Sequence, residues 1–304
     1  MKRHGLALIL CFLKKIMIFC LVFSVALTAG AVISVFVGYE VYRDVYYGDG
    51  AENKMDIFLP HGAVSAGEAG CVLFIHGGSW SGGDKSEEEI RCRLLASRGC
   101  IAVSMNYTLK DDDNAESYSV FTVLDEIEAA ICGVKNFAAE RGINLAKMAI
   151  SGYSAGAHLA MLYAYSRGDE APLDIAFVAN MAGPADISPD VWGEDMTVRI
   201  ARLLTGREVT TEMLRRGEAD ELLSSISPVE HVCESSPPTL TMHGCKDSVV
   251  PLENALSLKE RLTENAVENE FVYLKNSDHS LIHNPIKHLK FYGLILDYCE
   301  KYFG

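Results

Sequence analysis

A serine set between two glycines, Gly152-Tyr153-Ser154-Ala155-Gly156, lies where an apolar run meets a helical one, and few folds accommodate that junction. The preceding run, Lys147-Met148-Ala149-Ile150-Ser151, reads as a buried strand. The following run, Ala157-His158-Leu159-Ala160-Met161-Leu162-Tyr163-Ala164, is rich in good helix formers. A chain that leaves a strand and enters a helix within so few residues turns sharply, with Ser154 strained and its hydroxyl pointing outward. The bare pattern is weak; the strand before it and the helix after it make it a structural statement.

A serine hydroxyl is a poor nucleophile until a base takes its proton, and that base needs an orienting acid. Where a serine at such a turn is used this way, the acid and then the base follow it along the chain, each beyond a later strand. Two segments match. Pro238-Thr239-Leu240-Thr241-Met242-His243-Gly244 reads as a strand with Asp247 just beyond its end. Glu270-Phe271-Val272-Tyr273-Leu274 reads as another, with His279 on the loop that follows. Asp186, beyond the strand after Ser154, is a rival acid, and His283 is a rival base farther along the same loop. Asp278 reads as solvated. A fourth element is the strand Cys71-Val72-Leu73-Phe74-Ile75, which runs into His76-Gly77-Gly78-Ser79-Trp80. Backbone N–H groups there can turn toward a developing alkoxide, where each donor is worth about 3–4 kcal/mol. The natural donors are Gly78, Ser79 and Ala155, with Gly77 expected to make the turn.

These segments resemble the esterase branch of the α/β-hydrolase superfamily, close to hormone-sensitive-lipase-like and bifunctional acetylxylan/feruloyl-esterase-type enzymes. The likeness runs from about residue 41 to the C-terminus. It is carried by Lys54-Met55-Asp56, His76-Gly77-Gly78-Ser79-Trp80, Gly83-Asp84-Lys85, Asn106-Tyr107, the serine turn with His158, Gly183-Pro184-Ala185-Asp186, Ser227-Pro228 and His243 through Asp247. The chain departs from the family at Thr108, often Arg, at the acidic run Asp111-Asp112-Asp113, and at Ser79, a third Gly in the lipase-like branch. The resemblance implies a serine carboxylic-ester hydrolase that forms an acyl-enzyme on a Ser154–His279–Asp247 triad, acting on a small-molecule or carbohydrate-linked ester without a cofactor. An aryl-formamidase or peptidase uses the same constellation. A different class, a non-catalytic binding module, would have lost the serine, the histidine or the oxyanion glycines. By the same resemblance His76 supports the oxyanion loop, while His158 and His243 read as structural.

The alternation of strands with helical stretches at 85–97, 119–141 and 252–264 predicts a mostly parallel sheet covered by helices on both faces, opened by an antiparallel pair near residues 40–59. A final helix is expected over 286–303. Residues 190–236 form a long insertion between consecutive strands, with helices at 196–204 and 212–223. They are expected to cap the serine, with Trp192 or Met196 in the pocket wall. The 304 residues, 49% hydrophobic, suffice for one catalytic domain at 39–304. A net charge of −14 disfavours nucleic acid and an anionic membrane surface as partners. Protein partners are not legible.

Residues 16–37 carry no charge, long enough to span a bilayer as a helix at roughly 20 residues. Lys2, Arg3, Lys14 and Lys15 precede this run, so a membrane anchor at 1–38 would leave the catalytic domain extracytoplasmic. A signal peptide cleaved near Ala29-Gly30-Ala31, and so a secreted enzyme, is the alternative. Nine cysteines are scattered without C-x-x-C spacing, so no metal is expected. Cys245, in the acid loop, is the one candidate for reactivity.

Overall fold

The computed structural model describes residues 38–63, 68–111 and 118–304, and residues Glu40–Gly304 form one compact unit. The apolar segment 16–37 and Asp112-Asp113 lie outside the described residues. Among those described, no helix is long and apolar enough to cross a membrane.

The frame is an eight-stranded sheet in the order β1-β2-β4-β3-β5-β6-β7-β8. Its strands are β1 (Tyr39–Tyr46), β2 (Lys54–Pro60), β3 (Glu68–Ile75), β4 (Ile101–Met105), β5 (Asn144–Tyr153), β6 (Asp174–Met181), β7 (Thr239–Gly244) and β8 (Asn269–Leu274). β2 runs antiparallel to β4, and every pairing from β4 to β8 is parallel. The near-continuous apolar runs of β3 and β5 fit this position, because a parallel sheet is covered on both faces. On one face, Cys71, Leu73 and Ile75 of β3 join a core with Ile127 and Ile131 of α2 (Val120–Ala139) and Leu159 of α3 (Ala155–Arg167). On the other, Phe177 of β6 packs against Tyr298, Tyr302 and Phe303 of the closing helix. α1 (Glu89–Ala96) and α8 (Glu253–Glu264) complete the layers, and the closing helix is α9 (Pro285–Phe303). The fold class expected from the alternation is the one observed.

Two expectations need correction. The strand expected at 71–75 begins earlier, at Glu68. The helix expected at 212–223 is two, α6 (Thr211–Arg215) and α7 (Asp220–Ile226), because Gly217 between them takes φ 71°. Before them come α4 (Pro189–Trp192) and α5 (Glu194–Thr205), which complete the helices of the insertion. The seven described cysteines form no disulfide.

Candidate active site

Ser154 stands between β5 and α3 at φ 54°, ψ −120°, a backbone conformation that costs a non-glycine residue about 1–3 kcal/mol. Its amide donates to the Met181 carbonyl at 2.9 Å, which ties the turn to β6. Gly156 is dictated by contact, since a Cβ there would lie 2.0 Å from the Ile75 carbonyl oxygen of β3. The tight crossing of α3 over β3 sets the serine beside the loop that follows β3.

Ser154 Oγ lies 2.9 Å from His279 Nε2, and His279 Nδ1 lies 2.7 Å from Asp247 Oδ2. The network is satisfied with the proton on Nδ1, donated to Asp247, and the hydroxyl donating to Nε2. β7 and β8 pair in parallel register, His243 opposite Tyr273 and Gly244 opposite Leu274, so the loops carrying Asp247 and His279 leave the sheet side by side. The loops are then stitched by Cys245 and Lys246 amides donating to the Leu274 and Ser277 carbonyls. Asp247 has a fully buried side chain, and Oδ1 accepts from the Val249 and Val250 amides at 2.9 Å each. Burial pushes its pKa up, but the hydrogen bonds from His279 and these amides outweigh it and hold the carboxyl below its usual range. Tyr153 donates its hydroxyl to the His279 carbonyl at 2.7 Å, and its ring lies 5.2 Å from the imidazole. Its part in holding His279 carried no separate signal in the sequence.

The rival residues are engaged elsewhere. Asp186 accepts from Ser257 of α8 at 2.6 Å, and its carbonyl accepts from the Trp192 indole of α4 at 2.7 Å. His283 is exposed and faces Asp278 at 3.2 Å. Asp278, also exposed, accepts from Ser280. His243 donates to the Val250 carbonyl at 3.0 Å, and burial lowers its pKa, so a neutral ring underlies the Asp247 loop.

In the loop after β3 the turn falls one residue later than expected. Gly78 takes φ 113°, and its carbonyl accepts from the Ser81 and Gly82 amides, whereas Gly77 lies against Tyr153 and Ser154. Ser79 (φ 53°) and Trp80 (φ 60°) then adopt left-handed conformations without being glycine, so, counting Ser154, three strained residues lie together. Ser79, Trp80, Ser154 and Ala155 line a common cleft; Gly78 is exposed and is not part of that lining. Trp80 is held by a 3.3 Å hydrogen bond from its indole to His158 Nδ1, while His158 Nε2 donates to Ile226 at the end of α7. Burial pulls the His158 pKa down to about 4, which keeps that ring neutral and able to do both. His76 stacks on Tyr107 at 4.5 Å and donates through Nδ1 to the Gly77 carbonyl.

A polar brace lies behind this loop. Asp56 of β2, buried, accepts from Lys85 Nζ at 2.8 Å and Arg43 at 2.5 Å. Asn106 accepts from the Lys85 amide at 2.6 Å and donates to Asp84 at 3.0 Å. Thr108 donates through its amide and hydroxyl to Glu126 of α2.

The cleft has a volume of about 380 Å³ and is roofed by the insertion. Trp192 and Met196 both line it, and so do Arg199, Ile200 and Leu203, which sequence reading did not single out. Their signal was the helical spacing of one face of α5. Among the described residues, no group of three or more His, Cys, Asp or Glu side chains could hold a metal ion.

The family described as BD-FAE matches residues 55–262, more than half of the chain and ending before His279. Esterase LipC of Mycobacterium tuberculosis is 26% identical over 230 residues, which cover 72% of this chain and 54% of that protein. The chain spans about half the length of the curated relatives it matches. Among solved structures, a truncated carbohydrate esterase from gut microbiota superposes with a TM-score of 0.69 at 18% identity, covering 87% of this chain and 96% of that one. The propionate-bound esterase Est2 of Thermogutta terrifontis gives 0.68 at 22% identity, covering 87% and 94%. These likenesses establish the fold as that of the α/β-hydrolases.

Proposed function

This chain belongs to the BD-FAE family, and from that premise we propose that it hydrolyses carboxylic esters through an acyl-enzyme on Ser154. The observation that carries the reading is the continuous line Asp247–His279–Ser154, opening into a cleft that Ser79 and Ala155 also line. In this reading Ser154 Oγ attacks the ester carbonyl carbon as its proton passes to His279 Nε2. Asp247 stays ionised, orients the ring and stabilises the imidazolium. The carbonyl oxygen becomes an oxyanion that accepts from the Ser79 and Ala155 amides, with Gly78 as the further donor expected from sequence. Collapse of the tetrahedral adduct breaks the bond to the alkoxy oxygen, which leaves as the alcohol with the proton from His279. Water, deprotonated by the same imidazole, then attacks the acyl-enzyme and releases the acid and free Ser154.

A fluorophosphonate probe tests this directly. Stoichiometric labelling of the parent chain is expected, with none in Ser154→Ala, and the variant's ester turnover should fall about 10⁴-fold or more. A parent chain that neither labels nor turns over any ester would instead be a binding module on a hydrolase fold.

We separately propose that an anchor at residues 1–38 holds the catalytic domain, residues 39–304, outside the cytoplasm. Its support is the uncharged run and the positive residues that precede it.

A further inference from the structure

One face of α5 forms a wall of the cleft above Ser154. Met196, Arg199, Ile200 and Leu203 recur at i, i+3, i+4 and i+7, and all four line the cleft. Three of them are apolar, and Arg199 stands in the middle of the row. Arg199 is solvent-exposed, whereas Arg202, Arg215 and Arg216 of the same insertion each hold a glutamate. Arg199 and Arg207 hold none among the described residues, and of these two it is Arg199 that faces the cleft. No Asp or Glu is among the residues lining the cleft.

An arginine is charged at every working pH and offers a planar fork of donors that matches a carboxylate. The whole chain, at −14, repels an anion at long range, so a cation lining the same cleft as the nucleophile favours an anion only when it is bound in the cleft. A dianionic phosphate against a mostly apolar lining would lose more hydration than one guanidinium returns, whereas a single carboxylate is matched by it. We propose that Arg199 is a specificity residue that selects esters bearing a free carboxylate on the acyl or the alcohol half. This rests on the cleft being an ester-hydrolysing site.

The test uses two isosteric probe pairs. On the acyl side, 4-nitrophenyl hydrogen adipate is compared with the 4-nitrophenyl ester of adipamic acid. On the alcohol side, 4-carboxyphenyl butyrate is compared with 4-carbamoylphenyl butyrate. The readout is the ratio of kcat/KM for the anionic over the neutral member. In at least one pair that ratio should fall about tenfold in R199Q, equivalent to about 1.4 kcal/mol. It should recover in part in R199K and shrink in the parent chain as salt is raised. Ratios unchanged by R199Q in both pairs overturn the proposal while leaving ester hydrolysis intact. Absence of turnover of all four probes by the parent chain, with no labelling of Ser154, is the separate failure of the hydrolase reading.

Discussion

Ser154, Ser79 and Trp80 all hold positive φ without being glycine, and two of them are fastened by a specific bond: Ser154 to Met181, Trp80 to His158. Strain persists only where surroundings over-determine it, and these three strained residues all line the cleft. The same locality separates the two carboxylates that compete in the sequence. Asp247 points both oxygens at groups that need them, the imidazole and two amides, while Asp186 spends its carboxylate on Ser257. Asp247→Asn should therefore lower kcat about 10⁴-fold by favouring the wrong imidazole tautomer, with the fold retained. Asp186→Asn should leave kcat within a few-fold and cost about 1 kcal/mol of stability through the weakened Ser257 bond. Steady-state kinetics with urea denaturation of both variants reads this, and the reverse ranking would mean the acid is Asp186.

At the scale of elements, motif residues far apart in the sequence form one brace. β2 supplies Asp56, the turn after β3 supplies Asp84 and Lys85, and the end of β4 supplies Asn106. Together they pin the loop that carries Ser79. Burial pushes the Asp84 pKa up, but hydrogen bonds from Ser86 and Asn106 outweigh it and bring it from 3.8 to about 2. A depressed carboxylate stabilises the fold above its ordinary pKa, and that contribution is lost as pH falls toward the folded value. Asp84→Asn should thus be less stable than the parent at pH 7, with the gap closing between about pH 4 and 2. Chemical denaturation across that range measures it, and a gap independent of pH would remove Asp84 from the brace. The insertion shows the opposite case, in which a regular pattern was misjudged. Residues 212–223 read as one helix until Gly217 divides them, yet the face of α5 that meets the cleft keeps strict helical spacing.

For the whole molecule, the topology question turns on a segment outside the described residues. If residues 16–37 anchor the chain, full-length protein should sediment with membranes and resist alkaline carbonate extraction, with the intact mass including residue 1. A truncation beginning at Gly38 should be soluble and keep full activity, because the brace, the cleft and the triad all lie beyond it. Recovery of a mature protein beginning at Val32 would overturn the anchor and make the enzyme a secreted one.

The sequence alone determined the local elements: a mostly parallel α/β sheet, a serine at a strand-to-helix turn, and acidic and basic candidates beyond later strands. Those are local properties, written in hydrophobic period and in small residues where backbone must pass close. Which carboxylate meets His279 was decided by β7 and β8 lying side by side, a pairing between chain segments that no local pattern encodes. The turn at Gly78 rather than Gly77, the Tyr153 hold on His279 and the unpaired Arg199 were likewise decided by packing. Each depends on distances across the fold, and spacing along a chain does not set distance in space.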